Sequence, residues 1–135
     1  MDLRDMIKLN NQLGKDLIVD GLLYFIDDDK VCVEVCDMQI ERADILKGTE
    51  IITDCAFKSC KNLVTVNIPE GVTDIQDNAF YGCKSLKKID LPNGVLTIGV
   101  AAFRGCTRLL SVKMTDSVLY IYIQERFMTV LVYQK

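Results

Sequence analysis

The sequence predicts an α/β, mostly β solenoid: short coils of 23 residues stacked on one another, preceded by a helix and a β-hairpin. Three observations carry that prediction. Apolar positions return at a fixed 23-residue step from Ile51 to Leu119. Each unit holds a strand-length alternation that ends in turn chemistry. Ahead of the first unit, the apolar period changes from that of a helix to that of a strand.

At 135 residues, half of them apolar and 26% charged, the chain fits one domain. Residues 1–50 are its N-terminal part. Asp2 through Leu13 places Leu3, Met6, Ile7 and Leu13 near one helical face, with Asp2 as N-cap and Gly14 as the C-terminal stop, which predicts a capping helix. From Leu17 to Cys36, two apolar runs flank Asp27-Asp28-Asp29-Lys30, and the second alternates as a half-buried strand does, so a hairpin is expected. Asp37 to Lys47 reads as an irregular connector, with a short strand at Ala43-Asp44-Ile45-Leu46 that begins the first coil.

Residues 51–119 form three repeats. Ala56-Phe57 returns as Ala79-Phe80 and Ala102-Phe103, Cys60 as Cys83 and Cys106, and Leu63 as Leu86 and Leu109. Ile52, Ile75 and Ile98 keep the same step, as do Val66, Ile89 and Val112, then Ile68, Leu91 and Met114, and then Val72, Val95 and Val118. Within a unit, Leu63 to Ile68 is the strand, with Val66 and Ile68 inward and Thr65 and Asn67 outward. Pro69 ends it, having no N–H for a further ladder bond. Glu70-Gly71 turns the chain, and a second apolar run leads into a helical or 3₁₀ segment at Asn78-Ala79-Phe80. No coil buries its apolar face alone, so neighbours must stack.

Residues 120–135 read as a degenerate fourth coil. Ile121 keeps the period, Phe127 lies one residue late, and Phe127 to Tyr133 is expected to be a closing strand on the last open ladder. A bare edge there would favour a homodimer through the open coil edges.

The repeat residues resemble the BspA-like type of bacterial leucine-rich repeat, whose units carry A-F-x-x-C-x-x-L followed by I-x-I-P. Ala79-Phe80-Tyr81-Gly82-Cys83-Lys84-Ser85-Leu86 and Ile89-Asp90-Leu91-Pro92 are similar to it. The resemblance implies a right-handed, curved leucine-rich-repeat solenoid with a role in recognising proteins or surfaces.

Composition narrows the function further. A net charge of -3 argues against nucleic acid as the partner. No apolar run reaches the ~18 residues of a membrane span. The N-terminal residues lack a basic segment followed by an apolar one, so the chain as written is expected in the cytoplasm, or outside the cell if a leader has been removed. With no histidine and no C-x-x-C pair, zinc is not expected. Cys60, Cys83 and Cys106 read as a ladder of buried free thiols, while Cys32 and Cys36, roughly 13 Å apart along a strand, are too distant to bond each other. Asp27-Asp28-Asp29 suggests calcium, but the twelfth position from each aspartate is Met38, Gln39 or Ile40 rather than the glutamate of an EF-hand loop. The missing histidine and the absence of nucleophile-elbow, P-loop and dinucleotide motifs predict no enzyme, no catalytic residue and no cofactor.

Two surfaces remain as candidates for binding another protein. The outward strand columns Thr65, Lys88, Ser111 and Asn67, Asp90, Lys113 form a polar sheet face, with Asp90 expected to pair with Lys113 across the ladder. Lys58, Lys61, Lys84, Arg104 and Arg108 form a basic stripe on the turn segments.

Overall fold

The computed structural model describes residues 1–114, 120–121 and 131–134. Helix α1 (Leu3–Gln12) starts where the Asp2 carboxylate accepts the Asp5 N–H at 2.9 Å. It ends in a Schellman arrangement, the Lys15 N–H reaching the Asn10 carbonyl and that of Gly14 reaching Asn11, with Gly14 at φ +71°. Leu3 and Ile7 are buried in the common core. Leu13 is not on that face: as the C-cap it falls off the helical register and is 63% exposed.

The expected hairpin is a three-stranded meander of β1 (Leu17–Val19), β2 (Leu22–Asp27) and β3 (Lys30–Val35). Two two-residue turns join them, Asp20-Gly21 and Asp28-Asp29, all four residues at positive φ. Such turns match the right-handed twist of paired strands, and Asp-Gly is a favoured pair for them. The meander is also not separate from the repeats. Strand β3 pairs in parallel with β5 (Ile51–Ile52), which continues through β7 (Asp74–Ile75) and β9 (Thr97–Ile98) to β11 (Tyr120–Ile121). Arg4 ties the helix to this junction. Its guanidinium donates to the Asp29 carboxylate at 3.1 Å, the Asp29 carbonyl at 2.9 Å and Glu50 at 3.1 Å.

A second column of parallel strands runs beside the first: β4 (Arg42–Asp44), β6 (Thr65–Asn67), β8 (Ile89–Asp90), β10 (Ser111–Met114) and β12 (Leu131–Gln134). Strand β12 lies on the outer side of β10, with Ser111 opposite Leu131. The rest of the expected closing strand, from Phe127, lies outside the described residues, as does most of the fourth coil.

The segment expected to be helical is instead a ladder of turns. Cys55, Ser59, Asn78, Gly82, Ala101 and Gly105 all have positive φ, which a right-handed helix forbids. Alternate N–H groups then point along the solenoid: those of Cys55, Phe57 and Ser59 donate to the carbonyls of Asp77, Ala79 and Tyr81 at 2.9, 2.6 and 2.7 Å. The intervening Ala56, Lys58 and Cys60 close turns within their own coil. Asn78, Phe80 and Gly82 repeat the pattern onto the third coil. Each coil is thus held to the next by three sets of backbone bonds, and the side chains between them form the core. Phe57, Phe80 and Phe103 stack through it, with Leu63, Leu86 and Leu109 packed in the same core. Burying each aromatic ring contributes about 1.5–3 kcal/mol.

Candidate functional site

The polar column is set by strand register. Val66 and Ile89 turn into the core, so Thr65 and Asn67 on β6, and Lys88 and Asp90 beside and on β8, are exposed. Lys113 lies opposite Asp90 and is partly exposed, and Ser111 occupies the matching backbone position on β10. The ion pair at Asp90 is not across the ladder. Lys88, two residues away on the same face, reaches its carboxylate at 3.3 Å. Both side chains are more than half exposed, so the pair stabilises the fold by at most ~1 kcal/mol.

Sequence reasoning missed one rung of this column. Arg42 is opposite Thr65 and Asp44 opposite Asn67, one repeat length earlier. The Asp44 carboxylate accepts from Arg42 at 2.8 Å and from the Asn67 amide. Arg42 first and then Asn67 hold the Asp44 carboxyl below its ordinary range. The signal was present: Ala43 and Ile45 stand 23 residues before Val66 and Ile68.

The column is not uniformly closed. Ile45 donates its N–H to the Asn67 carbonyl at 3.1 Å, and Leu91 donates to Lys113 at 3.2 Å. Among the described residues no equivalent bond joins Ile68 to Asp90, and the pairing between β6 and β8 narrows to the single bridge Thr65–Lys88. A groove of about 360 Å³ opens there. It is lined by Val64 to Ile68 on one side and Lys87, Lys88 and Asp90 on the other, so four of the six expected contact residues meet in one place.

The basic stripe lies on the turn ladder. Lys58, Lys61, Lys84 and Arg108 are exposed and Arg104 is half-buried. Lys58 Nζ and the Arg104 guanidinium lie 5.4 and 5.7 Å from the centre of the Tyr81 ring, the three residues occupying the same position in successive coils. Tyr81 was not singled out from the sequence, where it stands as a variable position after the conserved-spacing Phe80.

Between β7 and the turn ladder, carboxylates do structural work that the sequence did not suggest. Asp54 accepts the Asp77 N–H at 3.0 Å, and Asp77 accepts that of Val100 at 2.8 Å. The thiols form the expected column: Cys83 donates to the Phe57 carbonyl at 3.1 Å and Cys106 to Phe80 at 3.0 Å. Burial pushes the Cys60 thiol up to about 11, and the neighbouring Cys106, with burial, pushes Cys83 up as well. All six cysteines are free. Among the described residues no cluster of three or more Cys, Asp and Glu is placed to hold a metal ion, and no helix is long and apolar enough to cross a membrane.

A family model described as the BspA type leucine rich repeat region matches residues 32–128 in six copies. No curated protein matches the sequence. Among solved structures, a leucine-rich repeat protein from Bacteroides capillosus is similar at TM-score 0.75 and 22% identity, over 89% of this chain and 98% of that one. A leucine-rich repeat protein from Bacteroides ovatus gives 0.62 at 22% identity over 89% of this chain, and a leucine-rich cell surface protein from Faecalibacterium prausnitzii gives 0.54 at 22% over 78%. This chain spans 41% and 38% of the length of those two. At these identities the likeness shows a shared fold.

Proposed function

The chain belongs to the BspA-type leucine-rich repeat family, and from that premise we propose that it is a non-catalytic module that binds an extended segment of another protein along its polar column. The coils are read as right-handed, with α1 and the meander covering the N-terminal end of the stack. One observation carries the proposal: past the Thr65–Lys88 bridge the pairing between β6 and β8 stops, so the Ile68 N–H lacks the coil-to-coil bond that Ile45 and Leu91 make, beside a groove lined by Val64 to Ile68. Unpaired strand groups are a template for another strand, which bonds through its own backbone while side chains in flanking pockets supply selectivity. Thr65, Asn67, Lys88 and Asp90 border that template with two neutral hydrogen-bonding groups and one charge of each sign. Ser111 and Lys113 extend the same face by one coil.

Selection of displayed random peptides against the folded chain tests this. Selected peptides are expected to lose at least about tenfold in affinity for Thr65→Arg or Asn67→Arg, with the melting temperature unchanged. Equal binding to these variants sinks the proposal, as does strong destabilisation by substitutions at the exposed positions.

A further inference from the structure

The turn ladder carries an unbalanced charge that the groove does not account for. Residues 55–68 and 101–114 contain no Asp or Glu and the equivalent 78–91 hold only Asp90, yet together they carry Lys58, Lys61, Lys84, Lys87, Lys88, Arg104, Arg108 and Lys113. In a chain of net charge -3, that is a segregated field. Most acids of the coils lie elsewhere, at Glu50, Asp54, Asp74 and Asp77 along the first strand column, while Asp90 on the second column is ion-paired to Lys88. Among the described residues, Lys58, Lys61, Lys84, Lys87 and Arg108 have no ion-pair partner. Their backbones belong to stacked coils whose Phe rings are 5.1 and 5.5 Å apart, so equivalent cations are presented on adjoining rungs, as Lys61 and Lys84 are. Like charges held that close repel, and an anionic partner relieves the repulsion.

We propose that this face binds an acidic polypeptide segment, a run of Asp and Glu that continues from the strand held in the groove. The inference rests on the groove reading for its choice of polymer. Lys87 and Lys88 line the groove, so a chain leaving it passes directly onto the cations of the turn ladder. A polypeptide alone can use both features, pairing its backbone with the open rung and its carboxylates with the lysines. A sugar polymer gains little from Tyr81, because Lys58 and Arg104 already lie over its ring. A nucleic acid has no peptide backbone to pair with the open rung.

The test is fluorescence anisotropy with a labelled oligo-glutamate peptide, alongside a neutral peptide of the same length, a sulfated polysaccharide and single-stranded DNA. Oligo-glutamate is expected to bind at low salt and weaken as salt screens the charges. The pair Lys61→Glu and Lys84→Glu, both exposed and outside the groove, is expected to reduce that binding at least about tenfold while leaving the melting temperature in place. Thr65→Arg is expected to leave oligo-glutamate binding intact; groove-selected peptides that bind Thr65→Arg as tightly as the unsubstituted chain overturn the groove alone, and failure of oligo-glutamate to bind the unsubstituted chain at low salt overturns this inference alone. Preference for the polysaccharide or DNA over oligo-glutamate, or unchanged binding to the charge-reversed pair, overturns it too.

Discussion

Phe57 and Phe80 stack with ring centres 5.1 Å apart and planes within 2° of parallel, although a whole coil of chain separates them. Phe103 continues the stack at 5.5 Å. Phe80 therefore has an aromatic neighbour on both sides and no exposure at all. Phe80→Ala should destabilise the chain by about 3–5 kcal/mol, because neither neighbouring coil can close onto the space it leaves. Urea denaturation measures it. A loss under about 1 kcal/mol would mean that the coils are not locked together through this column.

Gly99 approaches the preceding coil where no other side chain fits. A Cβ added there would stand 2.5 Å from both the Asp77 nitrogen and the Gln76 carbonyl carbon. Both are backbone atoms, so neither can swing aside. Gly99→Ala should cost about 1–3 kcal/mol by forcing two coils apart, in the range of overpacked cores. Thermal denaturation at constant protein concentration reads the effect.

The cysteines should divide sharply in reactivity. Cys36 and Cys55 are exposed, whereas Cys32, Cys60, Cys83 and Cys106 are buried. Burial also raises the thiols of Cys32 and Cys60, and the attacking species is the thiolate. Brief treatment of the native protein with iodoacetamide should label Cys36 and Cys55 alone by mass spectrometry, and denaturant should open the rest. Early labelling of Cys83 would contradict the packed thiol column.

Alkaline pH should weaken the fold. The Cys60 thiol is at about 11 when folded, above its ordinary value, and burial raises the Tyr24 hydroxyl in the same direction. For an acid raised by folding, the unfolded chain ionises first. The stability is therefore complete below the ordinary thiol value of 9.0 and declines as pH climbs through it toward about 11. Urea midpoints should therefore fall as pH rises from about 9 to about 11. Cys60→Ala should flatten that fall; an unchanged slope would place the titration elsewhere.

Much of this architecture was legible in the sequence, because a core shared between identical coils writes the same residue at the same step. Phe57, Phe80 and Phe103 are found by counting alone. Where the stacking follows a different step, counting fails. Val33 is the first rung below Ile52, yet it lies 19 residues earlier, so the meander read as a separate element. The Asp20-Gly21 turn is masked in the sequence although its chemistry is plain, because the apolar residues on either side read as one run. The turn ladder reads as a helical or 3₁₀ segment because Cys55 and Ala101 give no sign of positive φ, which accompanies their place in a hydrogen-bonded ladder between coils. The polar column follows from alternation, but its opening between β6 and β8 does not, because Ile68 and Leu91 stand at equivalent positions in the sequence and only Leu91 bonds to the next coil.

The most direct measurement is amide hydrogen exchange at Ile45, Ile68 and Leu91, three equivalent positions of successive coils. Ile45 and Leu91 donate to the next coil, and Ile68 does not. In the free protein Ile68 should exchange about a hundredfold or more faster than the other two, and a groove-selected peptide should slow it toward them. Equal protection of all three in the free chain, or no slowing at Ile68 with peptide bound, would contradict an open rung that receives a partner strand.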